Sequence, residues 1–233
     1  MNPFNKYEMM GDYHWRECNR NSKNYNPPLE ARYGAILKRI PSGLNRILDV
    51  GCGDGYLLAQ ASRFAARVIG IEFEKEGAAL AAKKLGSHSH CFVLRGSCYQ
   101  LPFGKRSFDI ILLSDVIEHL DNTDLCLQEL GRVLKAEGTL LLTTPQYRPD
   151  RKWDSRHVKE YQPPELNALL TNYFESVKIH HFCPVGWYRL YETKIGWKLM
   201  KVFSRYFYNP YSGEGDDPKK FYQMIAVCKG PRV

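Results

Sequence analysis

The stretch Ile47-Leu48-Asp49-Val50-Gly51-Cys52-Gly53-Asp54-Gly55-Tyr56 carries the most chemical content in this chain. An apolar run gives way to glycines at 51, 53 and 55 and then to a helix-like pattern. Glycines let a ligand press against bare backbone and tolerate positive φ. The amino end of a following helix presents free N–H groups to an electron-rich ligand. The dinucleotide fingerprint, Gly-x-Gly-x-x-Gly, sets its third glycine one residue later than this chain does. Glu72 ends the next apolar run. An acidic side chain there can accept both hydroxyls of a ribose, and the neighbouring Phe73 offers a face to an aromatic base. A glycine turn without a ligand and a solvent-facing strand-end glutamate are the plain structural alternatives.

Two histidines are candidates for a general base. His119 follows the fourth apolar run and His157 lies in the loop after the fifth. Both positions fall at the carboxyl edge, where open parallel sheets bind ligands. Helix capping or another structural role is the alternative for each. The seven cysteines form no Cys-x-x-Cys pair and no grouping with zinc spacing, so they read as reduced thiols.

These residues need elements to position them. Residues 1–28 read as an irregular arm ending in Asn26-Pro27-Pro28, and 29–40 carries apolar residues at helical spacing. From 46 the chain alternates strand and helix. Strands are expected at 46–50, 68–72, 91–95, 108–114, 139–144, 177–182 and 222–228, and helices at 56–65, 74–85, 123–134 and 165–173. The fold class is α/β, a doubly wound and mostly parallel seven-stranded sheet with helices on both faces and the last strand antiparallel. Residues 1–233 read as one domain: an arm and helix at 1–40 with lid potential, a ligand-binding core at 44–182 and a helical insertion at 183–221. Within the insertion, 186–207 is amphipathic. Tyr191, Ile195, Leu199, Val202, Phe203 and Tyr206 form one stripe, and Lys194, Lys198, Lys201 and Arg205 lie largely off it. Core packing or a subunit contact is the leading reading of such a stripe; a wall of an apolar substrate pocket and a surface helix on anionic lipid are the others.

The glycine stretch resembles the first motif of class I S-adenosylmethionine methyltransferases, of the small-molecule, methyltransferase type 11 or ubiquinone-pathway-like kind. The resemblance extends over 44–182. Gly96-Ser97-Cys98-Tyr99-Gln100-Leu101-Pro102-Phe103 with Ser107-Phe108-Asp109 is similar to the family's adenine loop and fourth strand. Ser114-Asp115-Val116-Ile117-Glu118-His119-Leu120 and Leu130-Gly131-Arg132-Val133-Leu134-Lys135-Ala136-Glu137-Gly138-Thr139-Leu140 are similar to its next segments. The resemblance implies a Rossmann-like fold and S-adenosyl-L-methionine as cofactor. It implies that Asp49, Gly51 and Gly53 line the methionine end, that Cys52 and Gly55 also belong to the cofactor site, and that Glu72 takes the ribose. Phe73, Ser97 and Cys98 would meet the adenine, and the backbone of Ser114 would pass near the methionine ammonium. Ser97 is a departure, since many relatives carry aspartate there; a hydroxyl accepts a hydrogen bond more weakly than a carboxylate. Asp115, Glu118 and His119 also resemble an acidic-x-x-Glu-His metal pattern of ubiquinone-pathway O-methyltransferases, although the same letters occur in metal-free relatives and no metal is expected. The segment from His157 to Tyr161, followed by Pro164-Glu165-Leu166, resembles one shared by relatives acting on small molecules. Tyr13-His14-Trp15 and Tyr25 in the arm are candidates to close over the cofactor.

The leading functional expectation is therefore transfer of a methyl group to a small-molecule acceptor, with oxygen as the favoured atom and a histidine base in support. Lys+Arg 33 against Asp+Glu 25 gives a net charge of +8, and Arg148, Arg151, Lys152, Arg156 and Lys159 form a basic loop. A tRNA, rRNA or protein methyltransferase is the alternative they raise. Base-amino methyltransferases carry Asn/Asp-Pro-Pro-aromatic after the fourth strand, where this chain has Ser114-Asp115-Val116-Ile117, so nucleic acid is disfavoured. A non-catalytic S-adenosylmethionine-binding protein is a third reading. Further expectations are peripheral contact with an anionic membrane through 187–207, a homodimer and a cytoplasmic location. The composition, 44% hydrophobic with 25% charged, argues against disorder. The start lacks the apolar stretch of a secretion signal, and no apolar run reaches the length of a membrane span.

Overall fold

The longest apolar runs become the strands buried on both faces, because only there can every side chain leave water. The structure is a computed structural model and describes residues 6–151 and 154–232. Among them β1 (Leu44–Val50) and β4 (Phe108–Ser114) form the centre of the sheet. They are flanked by β2 (Ala65–Glu72), β3 (Cys91–Arg95) and β5 (Leu134–Pro145). β1, β2, β3, β4 and β5 pair in parallel. β8 (Phe221–Pro231) lies between β5 and β6 (Phe174–Pro184), antiparallel to both. The order is β3-β2-β1-β4-β5-β8-β6-β7.

The sheet therefore has eight strands where the sequence predicts seven. The added one, β7, is the two-residue segment Glu214–Gly215 paired with Phe182 and His181. Two residues carry no readable alternation. Their place is fixed by long-range ion pairs, Glu214 accepting from Lys38 at 2.6 Å and Arg39 at 2.9 Å.

Alternate residues along each strand feed two cores. Ile47, Val68, Ile110 and Leu112 face α3 (Pro27–Leu37), α4 (Tyr56–Ala61) and α5 (Lys75–Leu85). Leu48, Val50, Ile111 and Leu113 face α6 (Thr123–Val133) and α7 (Pro163–Thr171). All seven cysteines are free thiols.

Three expectations need correction. The arm is not irregular: its described part folds into α1 (Lys6–Met10) and α2 (Tyr13–Glu17). The next helix begins at Pro27 rather than at 29, since prolines in a first turn lose no hydrogen bond and the Asn26 side chain accepts from the Leu29 N–H. The amphipathic insertion is two helices, α8 (Val185–Tyr191) and α9 (Gly196–Tyr206). α9 buries Gly196, Met200 and Ser204, and leaves the stripe predicted to pack exposed at Ile195, Leu199, Val202, Phe203 and Tyr206. Small residues let α9 approach its neighbours closely, so the large ones turn outward.

Gly70, opposite Asp49 in the β1–β2 register, decides how closely the glycine turn approaches β2. A Cβ there would stand 2.6 Å from Cys52 Sγ and 2.8 Å from Leu58 Cδ2. Gly70→Ala is expected to lower unfolding stability by about 1–3 kcal/mol through overpacking, read from the urea midpoint; an unchanged midpoint would contradict this packing.

Candidate functional site

The turn after β1 is held to the end of β2 by backbone bonds. Gly51 and Cys52 both donate to the Ile71 carbonyl, at 2.8 and 3.1 Å, and Gly53 donates to Glu72 Oε2 at 2.8 Å. Gly51 and Gly53 have φ of +75° and +57°, a region that side chains with a Cβ rarely enter. A Cβ at Gly53 would collide with the Tyr7 hydroxyl. Gly55, also left-handed, precedes α4, a helix of six residues that is shorter than predicted.

Two buried carboxylates lie under this turn. Asp49 is 1% exposed, and its Oδ2 has no hydrogen-bond partner among the described residues. Burial, with the charge of Glu72 behind it, pushes its carboxyl up to about 8. Glu72 is also buried and also raised, chiefly by desolvation. Its Oε1 and Oε2 accept from the Glu74 and Gly53 amides, both at 2.8 Å. A ribose diol would therefore share Glu72 with the backbone, each carboxylate oxygen having further acceptor capacity. Two acids and an orphaned buried oxygen make a floor that favours a cationic ligand.

The arm roofs this floor. Tyr7 lies against Gly53, Gly77 and Glu72, and its N–H donates to Glu74 at 2.8 Å. His14 bonds Asp54 twice, through its N–H at 2.9 Å and Nδ1 at 3.0 Å, and Trp15 Nε1 donates to the Asp54 carbonyl at 2.8 Å. Tyr13 stacks on Tyr7 at 5.9 Å. Tyr13, His14 and Trp15 are thus placed beside the glycine turn. Tyr25 is not: it is fully buried, with its hydroxyl on Glu30. Sequence reasoning missed Tyr7, Lys6 and Arg32, which carry no motif and arrive through the path of the arm and α3.

The adenine-side candidates follow the loop after β3. Phe73 is 69% exposed. Ser97 Oγ accepts from the Tyr99 N–H at 3.2 Å, and the Cys98 thiol is hydrogen-bonded with Cys126. Ser114 ends β4, with Oγ 3.1 Å from Thr143 Oγ1.

The histidines come together. The His119 and His157 rings are 4.8 Å apart and edge-on. Because a carbonyl can only accept, His119 Nδ1 carries the proton in its 3.0 Å bond to the Arg156 oxygen. His157 Nδ1 meets Glu160 Oε1 at 2.7 Å. Burial lowers the His119 pKa. Glu118 joins them: one ligand atom from each of the three lies within 4.8 Å of the others. These groups are of a type that could hold a divalent ion. Asp115 is not part of that group, since its φ of +50° turns it to Arg32 Nη1, 2.9 Å away, and Thr143 donates to it at 2.9 Å. Neither histidine lines the ≈ 170 Å³ cavity beside the arm, which is walled by Lys6, Tyr13, Arg32, Tyr188 and Tyr191 among others.

The basic loop is largely neutralised within itself. Arg148 pairs with Asp150, Arg156 with Asp154 and Lys159 with Glu165, while Arg151 lies over the Tyr188 and Tyr222 rings. Lys152 lies outside the described residues.

Residues 48–142 match the model of a family described as a methyltransferase domain. A probable S-adenosylmethionine-dependent methyltransferase of Mycolicibacterium smegmatis is 30% identical over 129 residues, 53% of this chain and 49% of that protein. The ubiquinone biosynthesis O-methyltransferase of Bradyrhizobium diazoefficiens is 32% identical over 111 residues, 47% and 42% of the two chains. The chain spans about half the length of the curated relatives it matches. Among solved structures, a S-adenosylmethionine-dependent methyltransferase of Thermotoga maritima, described as a possible histamine N-methyltransferase, superposes with a TM-score of 0.65 at 21% identity, over 97% of this chain and 95% of that one. That likeness shows the fold, a Rossmann-like doubly wound sheet. Residues 48–142 of this chain therefore carry the match to a methyltransferase domain, with its motifs in their places at the carboxyl edge of a Rossmann-like sheet.

Proposed function

We propose that this protein moves the methyl group of S-adenosylmethionine to a small-molecule acceptor, with oxygen as the receiving atom. The observation that carries the reading is the buried, unpartnered Asp49 carboxylate beside Glu72 under a left-handed glycine turn. When bound, S-adenosylmethionine supplies a methyl carbon made electrophilic by its sulfonium. Asp49, with Gly51, Cys52, Gly53 and Gly55, holds the amino-acid end, where Asp49 accepts from the ammonium directly or through water. Glu72 accepts the ribose hydroxyls. Phe73, Ser97 and Cys98 border the adenine, and the Ser114 backbone passes the ammonium. The chain's main contribution would be holding the acceptor oxygen against that methyl carbon. The arm keeps water out of that space. The acceptor's hydroxyl proton would pass to the imidazole Nε2 of His157, held by Glu160 at Nδ1, with His119 beside it.

The insertion adds a surface. Ile195 and Tyr206, each 70% exposed, stand on α9 with Leu199 and Val202. Lys194 and Lys198 border them, exposed, while Lys201 and Arg205 reach the Lys23 and Ser22 carbonyls. An apolar stripe edged with lysines matches the interface of an anionic bilayer, and we assign it there.

Calorimetry with S-adenosylhomocysteine should show binding to the wild type and affinity about tenfold or more weaker in Asp49→Asn, the cost of losing a charge-assisted hydrogen bond; no heat in the wild type would overturn the reading. Turnover of a panel of phenolic acceptors should fall by about 10²-fold or more in His157→Ala, whereas near-wild-type rates in both His157→Ala and His119→Ala would remove imidazole from the mechanism. Vesicles of phosphatidylcholine with phosphatidylglycerol should sediment the wild type at low salt and not Leu199→Glu. A dimer by light scattering with no vesicle binding would assign the stripe to a second copy instead.

A further inference from the structure

The cavity beside the arm has an unbalanced wall. Lys6 and Arg32 share it with the rings of Tyr13, Tyr188 and Tyr191. Two cations in a small, partly buried space repel, and each one needs an anionic partner to offset its lost hydration. Arg32 has one acid: its Nη1 is 2.9 Å from Asp115 Oδ2. Its Nε is buried with no acceptor among the described residues. Lys6 has none. Among the described residues no carboxylate lies within ion-pair distance of its Nζ, which sits 4.7 Å from the centre of the Tyr13 ring. Burial, then repulsion from Arg32 and Arg156, lowers the Lys6 ammonium to about 8, against a weaker opposing pull from Asp115 and Asp154. Glu17 is the acid lining the cavity, and it forms no ion pair with either cation among the described residues.

Two of the cavity's lining residues are tied to segments at the cofactor cradle. Lys6 directly precedes Tyr7, which covers Gly53. Arg32 grips Asp115, the residue after the end of β4. A group seated there lies next to the space in which methyl transfer takes place.

We infer that this cavity receives an anionic oxygen group, a phosphate or a carboxylate, carried by the methyl acceptor, with Lys6 Nζ and Arg32 Nε as its donors and the tyrosines flanking the ring that bears it. The inference rests on the methyl-transfer reading and narrows its substrate class. A neutral sterol-like or simple alcohol acceptor leaves both donors unmet, and an ammonium acceptor meets repulsion. The anion adds a negative charge at contact distance, which Asp115 supplies to Arg32 but not to Lys6.

The test titrates the full chain with phenyl phosphate, benzoate and the neutral benzyl alcohol, with and without saturating S-adenosylhomocysteine. At pH 7 at least one anion should bind and benzyl alcohol should not. The better of the two probes identifies the group as phosphate or carboxylate. Lys6→Met should weaken that probe about tenfold or more, the size of one lost charge-assisted contact, and Lys6→Arg should restore it. Raising the pH from 7 to 9.5 should weaken the wild type, because Lys6 loses its proton on the way, and should spare Lys6→Arg. Millimolar anion without binding, or equal binding by Lys6→Met, would overturn the inference. S-adenosylhomocysteine binding without anion binding defeats this inference alone. Absence of S-adenosylhomocysteine binding defeats the transfer reading, while a Lys6-dependent anion response would still establish the site.

Discussion

The clasp between the first two strands governs the site. Three successive residues after β1 give their amides to the end of β2: Gly51 and Cys52 to the Ile71 carbonyl and Gly53 to the Glu72 carboxylate. Without these bonds the turn would have no reason to hold left-handed φ angles. With them, it is drawn tight against β2 and Asp49 is sealed beneath it. The close approach depends on Gly70, since the space of its missing side chain is taken by Cys52 and Leu58. One backbone geometry thus sets the turn, the buried acid and the position of the second carboxylate together.

The site is electrostatically divided. Its floor is acidic and lacks counterions: Asp49 has an oxygen without a partner, and Glu72 is satisfied only by amides. The cavity beside the arm is basic instead: Lys6 and Arg32 share it, and Asp115 pairs with Arg32 alone. In a partly dry space such imbalance is costly to the protein alone and is relieved by ligands of opposite charge on each side. A cationic cofactor on the floor and an anionic acceptor at the wall are the pair that balances both.

The arm joins the two halves. Asp54, inside the glycine stretch, binds the backbone and ring of His14, and Glu74, just beyond β2, binds the Tyr7 and Glu8 amides. The roof is therefore anchored on the same loops that form the cradle. Burial lowers the His14 pKa even beside Asp54, so the ring is neutral at pH 7. Protonation in acid would strain this anchor, because a histidine depressed in the folded state loses stability as pH falls below its ordinary value.

Local pattern was enough for the central strands. The run from Ile110 to Leu113 can only be a strand covered on both faces, and the glycines at 51, 53 and 55 mark where the chain must bend around something. The glycine turn with Asp49 and Glu72 was legible for the same reason: these residues lie within one βαβ unit, at spacings that short-range geometry fixes. The two-residue β7, the outward face of α9 and the role of Tyr7, Lys6 and Arg32 were not legible. Each depends on contacts between residues far apart in the chain, such as Glu214 with Lys38 or Arg32 with Asp115. Sequence determined the cradle, because neighbouring residues build it. Tertiary structure alone decided what covers it and which charges line the cavity beside it, because those follow from where the arm and α3 come to rest.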